Sequence, residues 1–198
     1  MRCVYCDLEK SKTNFSNLFL KEDLLCIECR KKMPIKRKII QYENIKVESF
    51  YDYDSLFKSL LIQYKEAHDE ILKDVFTYWL DDYINYRYFD YKIIFVPSSQ
   101  KKINERGFNH LELIFNNLKQ KRIVGLYQKD ELIQEGKDSI NRKRMINNYY
   151  YDGERHKKVL VLDDVVTTGS SMLGVYNALK EKVCSIKLLS LAYKNFTK

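Results

Sequence analysis

The segment VLVLDDVVTTGSS at residues 159–171 constrains this chain more than any other. Its first four residues form a continuous apolar run containing two valines, the pattern of a parallel strand covered on both faces. Asp163 and Asp164 follow directly. In an open α/β sheet the carboxyl ends of the strands are where ligands bind, and paired acidic acceptors there can take hydrogen bonds from two vicinal sugar hydroxyls. Thr167, Thr168, Gly169, Ser170 and Ser171 come next. Their small size lets backbone N–H groups approach an anion, their hydroxyls add donors, and a helix predicted to start at about Ser170 adds its positive end. The same string also reads as a buried strand, an Asp turn and a Thr or Ser cap with no ligand at all. A Walker A loop is excluded because the Gly-Lys-Ser/Thr ending is missing, and a dinucleotide fingerprint because the glycines do not repeat.

The segment resembles the phosphoribosyl pyrophosphate (PRPP) motif of the type I phosphoribosyltransferases: four apolar residues, two acidic, two apolar, then a Thr/Gly/Ser-rich loop. Every position is filled here. The resemblance implies that Asp163 and Asp164 face the ribose hydroxyls and that Val166, Thr167, Thr168, Gly169, Ser170 and Ser171 cradle the 5′-phosphate. Strand-like runs at 93–96, 123–126, 159–162 and 186–192 supply a mostly parallel sheet, with helices at 111–118 and 170–182 between strands. The expected class is α/β, with a sheet of the type I phosphoribosyltransferase kind.

The 198 residues allow one catalytic-size domain and a small appendage. Lys plus Arg number 35 against 27 Asp plus Glu, a net charge of +8 that favours nucleic acid, phosphorylated metabolites or an anionic membrane face as partners. Excess Lys is also common on soluble surfaces. The 16 tyrosines and 10 phenylalanines suit stacking on bases where they are interleaved with cations, although most belong in the core or on half-buried helices. There is no membrane-length apolar run and no signal-peptide apolar region at the N-terminus. The expectation is a soluble, cytoplasmic protein that does not span a membrane, with room for a peripheral place at its inner face.

At the front, Cys3 and Cys6 form one Cys-x-x-Cys knuckle and Cys26 and Cys29 a second, with 19 residues between them. That spacing is typical of structural zinc ribbons, in which four thiolates at about 2.3 Å surround a tetrahedral ion. Disulfides and redox thiols are the competing readings. A reducing compartment disfavours the first and the duplicated spacing the second. Four thiolates leave no open coordination position, so the zinc is structural. Residues 1–33 are read as the ribbon, 34–48 as a linker and 49–198 as the phosphoribosyltransferase-like domain. The linker takes in part of the basic stretch RKKMPIKRK at 30–38, which is either a solvated connector or a track for a phosphate backbone. Cys184 falls outside the zinc set and is expected to be a small buried hydrophobe.

Apolar residues at helical spacing predict two amphipathic helices, 54–64 and 67–86, the second burying Ile71, Leu72, Val75, Phe76, Trp79 and Leu80. Pro97 stops the strand at 93–96. The loop that follows carries Lys101, Lys102, Arg106 and Gly107, whose cations and amides either hold a pyrophosphate or serve as an ordinary charged connection. Phosphoribosyl transfer needs such a loop, because C1′ becomes oxocarbenium-like while pyrophosphate departs, usually with Mg²⁺.

Taken together, the two Cys-x-x-Cys pairs, VPSS with ERGFNH at 105–110, and LDDVVTTGSS resemble the ComF family of competence proteins, in order and over nearly the whole chain. Members usually carry a second proline after the strand and Gln after RGFN; Ser99 and His110 stand in those places here. The resemblance also aligns Gln134, Arg144 and Asn147 with a family stretch that in phosphoribosyltransferases is a mobile lid. Arg142, Lys143 and Arg144 form a basic cluster there, suited to PRPP, to a DNA backbone or to plain solvent. Two functions are implied. One is handling of incoming single-stranded DNA during natural transformation, with a ComFA-type DNA-translocating ATPase as companion and PRPP or a related ribose phosphate as ligand. The other is transfer of 5-phosphoribosyl from PRPP, with Mg²⁺, to an amine or nucleobase.

Overall fold

The computed structural model describes residues 2–10, 22–66, 69–98, 103–104, 109–128 and 148–194. In chain order these include α1 (Ile27–Lys32), β1 (Lys38–Tyr42), β2 (Ile45–Asp52), α2 (Ser55–Glu66), α3 (Lys73–Thr77) and α4 (Leu80–Arg87). Then come β3 (Lys92–Phe95), α5 (His110–Ile114), β4 (Leu126–Gln128), β5 (Tyr149–Tyr151), β6 (His156–Val166), α6 (Ser170–Leu179) and β7 (Val183–Tyr193). The apolar run of β6 lies between β7 and the edge strand β3 in a sheet ordered β1-β2-β7-β6-β3. The last four of these are parallel and β1 is an antiparallel edge. Registers such as Leu162 opposite both Phe95 and Leu189 bury β6 on both sides. The α/β class with a mostly parallel sheet is therefore the observed one.

Side chains of a strand alternate between faces. Leu160 and Leu162 enter one core with Phe57 and Leu60 of α2, Phe76 of α3 and Leu111 of α5, while Val159 and Val161 enter a second with Met172, Val175 and Leu179 of α6. Each such side chain, fully buried, stabilises by about 1.5–3 kcal/mol. The first core also contains Cys3, Leu25, Cys29 and Met33, so the N-terminal segment shares it. Arg30 fixes that contact. Its Nε and Nη2 donate to Asp23 at 2.6 and 2.8 Å, and Nη2 also donates to the Val75 carbonyl at 3.0 Å.

Several expectations are corrected. The stretch 34–48, read as a linker, contains β1 and the first half of β2. The single helix expected over 67–86 is a 3₁₀ turn (Glu70–Leu72), α3 and α4. The break follows from where two carbonyls are used: Arg30 takes that of Val75 and the Tyr51 hydroxyl takes that of Phe76 at 3.0 Å, which ends α3. Ile71, expected on the buried stripe, is 62% exposed. The run at 123–126 meets the main sheet only by a parallel bridge between Arg122 and Ile93. Gly125, at φ +99°, turns the chain away, and β4 pairs with β5 in a separate two-stranded ribbon. Cys184 is exposed at the start of β7 rather than buried. No helix among the described residues is long and apolar enough to cross a membrane.

Candidate functional site

β6 does not stop at Leu162 but runs through both aspartates to Val166, pairing Val165 with Ala192 and Val166 with Tyr193. The two aspartates have different surroundings. Asp163 lines a small cleft of about 30 Å³ together with Thr167, Thr168, Gly169, Ser170 and Ser171. Asp164, 8% exposed, lies among α2 and α5. Its Oδ2 receives Lys65 Nζ from the last turn of α2 and lies 3.2 Å from Nε2 of His110, the first residue of α5. Its Oδ1 accepts the Val165 N–H at 2.7 Å, and Asp163 Oδ1 accepts that of Asp164 at 2.9 Å.

The two carboxyls are pulled in opposite directions. Burial and then the charge of Asp164 push Asp163 well above the usual carboxylate range. Burial opposes ionisation of Asp164 as well, but the hydrogen bond to His110 and the charge of Lys65 outweigh it and hold that group well below the range.

The loop after β6 owes its shape to Gly169, which caps α6 at φ +75°. A Cβ at this position would also lie 2.5 Å from the ring of Tyr42, the last residue of β1. Glycine thus meets both a backbone and a packing requirement. The Tyr42 hydroxyl donates to the Thr167 carbonyl at 3.0 Å, and the Thr168 and Ser170 hydroxyls pair at 2.9 Å. Thr167, Thr168, Ser170 and Ser171 are exposed above the buried glycine, at the N-terminus of the ten-residue α6. This is the geometry by which backbone amides and hydroxyls hold an anion.

The cleft stands at a topological switch. From β6 the chain crosses by α6 to β7, and from β3 it crosses by α5 to the Arg122 bridge on the other side. α5 and α6 pack on opposite faces. Between β3 and β6 their divergence opens a crevice at the carboxyl ends of the strands. The Val96 N–H bonds the Leu162 carbonyl at 3.0 Å, which brings Pro97 and Ser98 beside Asp163. A second cavity of about 500 Å³ lies there, lined by Ile94, Val96, Ser98, Asn109, Glu112 and Tyr127 among others. Lys101, Lys102, Arg106 and Gly107, and Gln134, Arg142 and Arg144, lie outside the described residues.

Cys3, Cys6, Cys26 and Cys29 gather with all four sulfurs within 4.8 Å of one another. Cys6 Sγ lies 3.7 Å from Cys26 Sγ, too far for a disulfide and close to the edge of about 3.8 Å of a tetrahedron with Zn–S bonds of about 2.3 Å. The set fits a zinc ion. Cys26 caps α1, accepting from the Cys29 N–H, so the second knuckle is also the start of a helix.

Sequence reading missed Tyr42, Lys65 and the partnership of His110. Tyr42 lies on β1, within the stretch assigned to the linker, and Lys65 is an ordinary last-turn lysine of an amphipathic helix. Only the helical period, which puts Lys65 one position after the buried Tyr64, hinted that it borders the core.

No family model matches the chain. It is similar to the competence protein ComFC of Streptococcus pneumoniae (strain ATCC BAA-255 / R6), with 24% identity over 135 residues that cover 67% of this chain and 61% of that protein.

Proposed function

We infer that this chain, which belongs with the ComF family, acts in competence as a DNA-handling protein built around a ribose-phosphate site. One observation carries the reading: Asp163 and the Thr167–Ser171 loop line a common cleft at the switch point of the sheet. In this reading the loop holds a 5′-phosphate through its amides and hydroxyls, and the acidic pair marks the ribose side. Mg²⁺ would enter with PRPP and neutralise its pyrophosphate. Zinc on Cys3, Cys6, Cys26 and Cys29 is structural and holds the ribbon against the main core.

Single-stranded DNA suits the surface on the far side of α4. Tyr86 and Phe89 are 86% and 76% exposed, with Arg87, Lys119 and Lys121 also exposed near them in the chain or across the Asn85 contact. Exposed rings with cations bind bases by stacking and backbone by charge. A ComFA-type DNA-translocating ATPase is the proposed companion. A second reading, phosphoribosyl transfer to an amine or nucleobase, is favoured by the larger cavity beside the cleft, which has room for a planar acceptor.

The test is calorimetric titration of PRPP with Mg²⁺, repeated with single-stranded DNA present. Saturable PRPP binding abolished by the Asp163→Asn/Asp164→Asn double variant supports the ribose-phosphate site; its absence removes that part of the reading. DNA binding that weakens steeply with salt supports the DNA role. Release of pyrophosphate on addition of an amine or base would favour the transferase.

A further inference from the structure

We propose that the acidic pair is divided in labour: Asp163 alone is the carboxylate that meets the ligand's ribose, while Asp164 is a positioning residue locked between Lys65 and His110. This rests on the ribose-phosphate reading of the cleft and departs from the symmetrical role implied by the motif.

The two carboxyls have different surroundings, and only that of Asp163 lines the cleft. Asp163 borders the Thr167–Ser171 cleft, on the side of α6. Asp164 has its lone pairs committed: Oδ2 to Lys65 and to His110 Nε2 at 3.2 Å, Oδ1 to the Val165 N–H at 2.7 Å. His110 is itself held in place, buried to 5% exposure, with its carbonyl accepting from the Tyr64 hydroxyl at 2.9 Å. Tyr64 and Lys65 are neighbours at the end of α2, so one helix end anchors both the histidine and the carboxylate. A ribose hydroxyl reaching Asp164 would have to displace a buried ion pair, whereas Asp163 lines the cleft.

The opposite carboxyl behaviours agree with this division. The charge of Lys65 and the hydrogen bond to His110 favour the ionised form of Asp164, while burial and the charge of Asp164 raise Asp163. Lys65 and His110 then act on the ligand through the pair, by fixing where the second charge sits.

The decisive comparison uses ribose 5-phosphate and inorganic phosphate as probes on the full chain. Asp163→Asn is expected to weaken ribose 5-phosphate about tenfold or more, with little change for phosphate, since only the contact of a ribose hydroxyl with that carboxyl is lost. Asp164→Asn, compared at a temperature where it is folded, is expected to lose much less. Lys65→Met should lower the ratio of ribose 5-phosphate to phosphate affinity, and Lys65→Arg should restore it; a merely structural lysine would move both probes together. A larger loss in Asp164→Asn than in Asp163→Asn would overturn the proposal.

Melting temperatures supply an arm independent of any ligand. Asp164→Asn and Lys65→Met should each destabilise and combine with clear non-additivity, while Asp163→Asn should not destabilise. Additive losses would overturn the locked pair even if PRPP binds. Failure of the wild type to bind either sugar phosphate would overturn the ribose role of Asp163 together with the reading it rests on, and the melting cycle would still decide the Lys65–Asp164 lock.

Discussion

Glu48 on β2 is another committed carboxylate. It is 5% exposed and accepts from Arg37 Nε at 2.5 Å and from the hydroxyls of Tyr83 and Tyr88, both at 2.6 Å. Burial alone would raise its pKa, but these three donors outweigh it and leave the group below the ordinary carboxylate value. A folded pKa below the unfolded one of about 4.3 means that the stabilisation is fully present above that pH and is lost as pH falls toward the folded value. Glu48→Gln is therefore expected to cost about 1.5–3 kcal/mol at neutral pH, and to flatten the acid limb of a plot of melting temperature against pH. At Gly169 the expectation concerns shape. Gly169→Ala meets both φ +75° and the Tyr42 ring, and should cost about 1–3 kcal/mol while weakening phosphate or PRPP binding. Tyr42→Phe, which keeps the ring and removes only the bond to Thr167, should melt near the wild type yet bind these anions more weakly.

Among elements, α1 does the most for its length. Its six residues carry Cys29, one of the four clustered cysteines, and Arg30, whose side chain joins Asp23 of the N-terminal segment to the Val75 carbonyl of α3. The Arg30–Asp23 pair is only 17% exposed on each side, so removing one partner leaves a buried charge uncompensated. Arg30→Met should cost about 3 kcal/mol and open the ribbon to limited proteolysis. Arg30→Lys should rescue little, because an ammonium cannot supply the fork that meets Asp23 and Val75 together. The knuckles and the β6–loop–α6 unit were legible in the sequence, since fixed Cys spacing and a strand-to-small-residue string are local patterns. The division of 67–86 was not: the carbonyls that end α3 are taken by Arg30 and Tyr51, which are distant in the chain.

At the scale of the whole molecule, the ribbon and the main sheet melt as one unit if they share a core, and Cys3, Leu25, Cys29 and Met33 do pack in the same cluster as Phe50 and Phe76. Protein purified without chelator is expected to carry close to one zinc per chain, and stripping it should shift a single cooperative transition to lower temperature rather than create a separate early one. A second, independent transition would show that the ribbon is only tethered. The sequence by itself determined the α/β class, the cluster of four cysteines and the candidate anion loop, because each is written in residues close together and in a period that one element imposes. Tertiary structure alone decided the rest: that Lys65 and His110, 99 and 54 residues from Asp164, close on it, and that Tyr42 from an edge strand props the loop. Those contacts are made by side chains whose own neighbours in sequence are unremarkable, and only the packing of α2, α5 and β1 around β6 brings them within bonding distance.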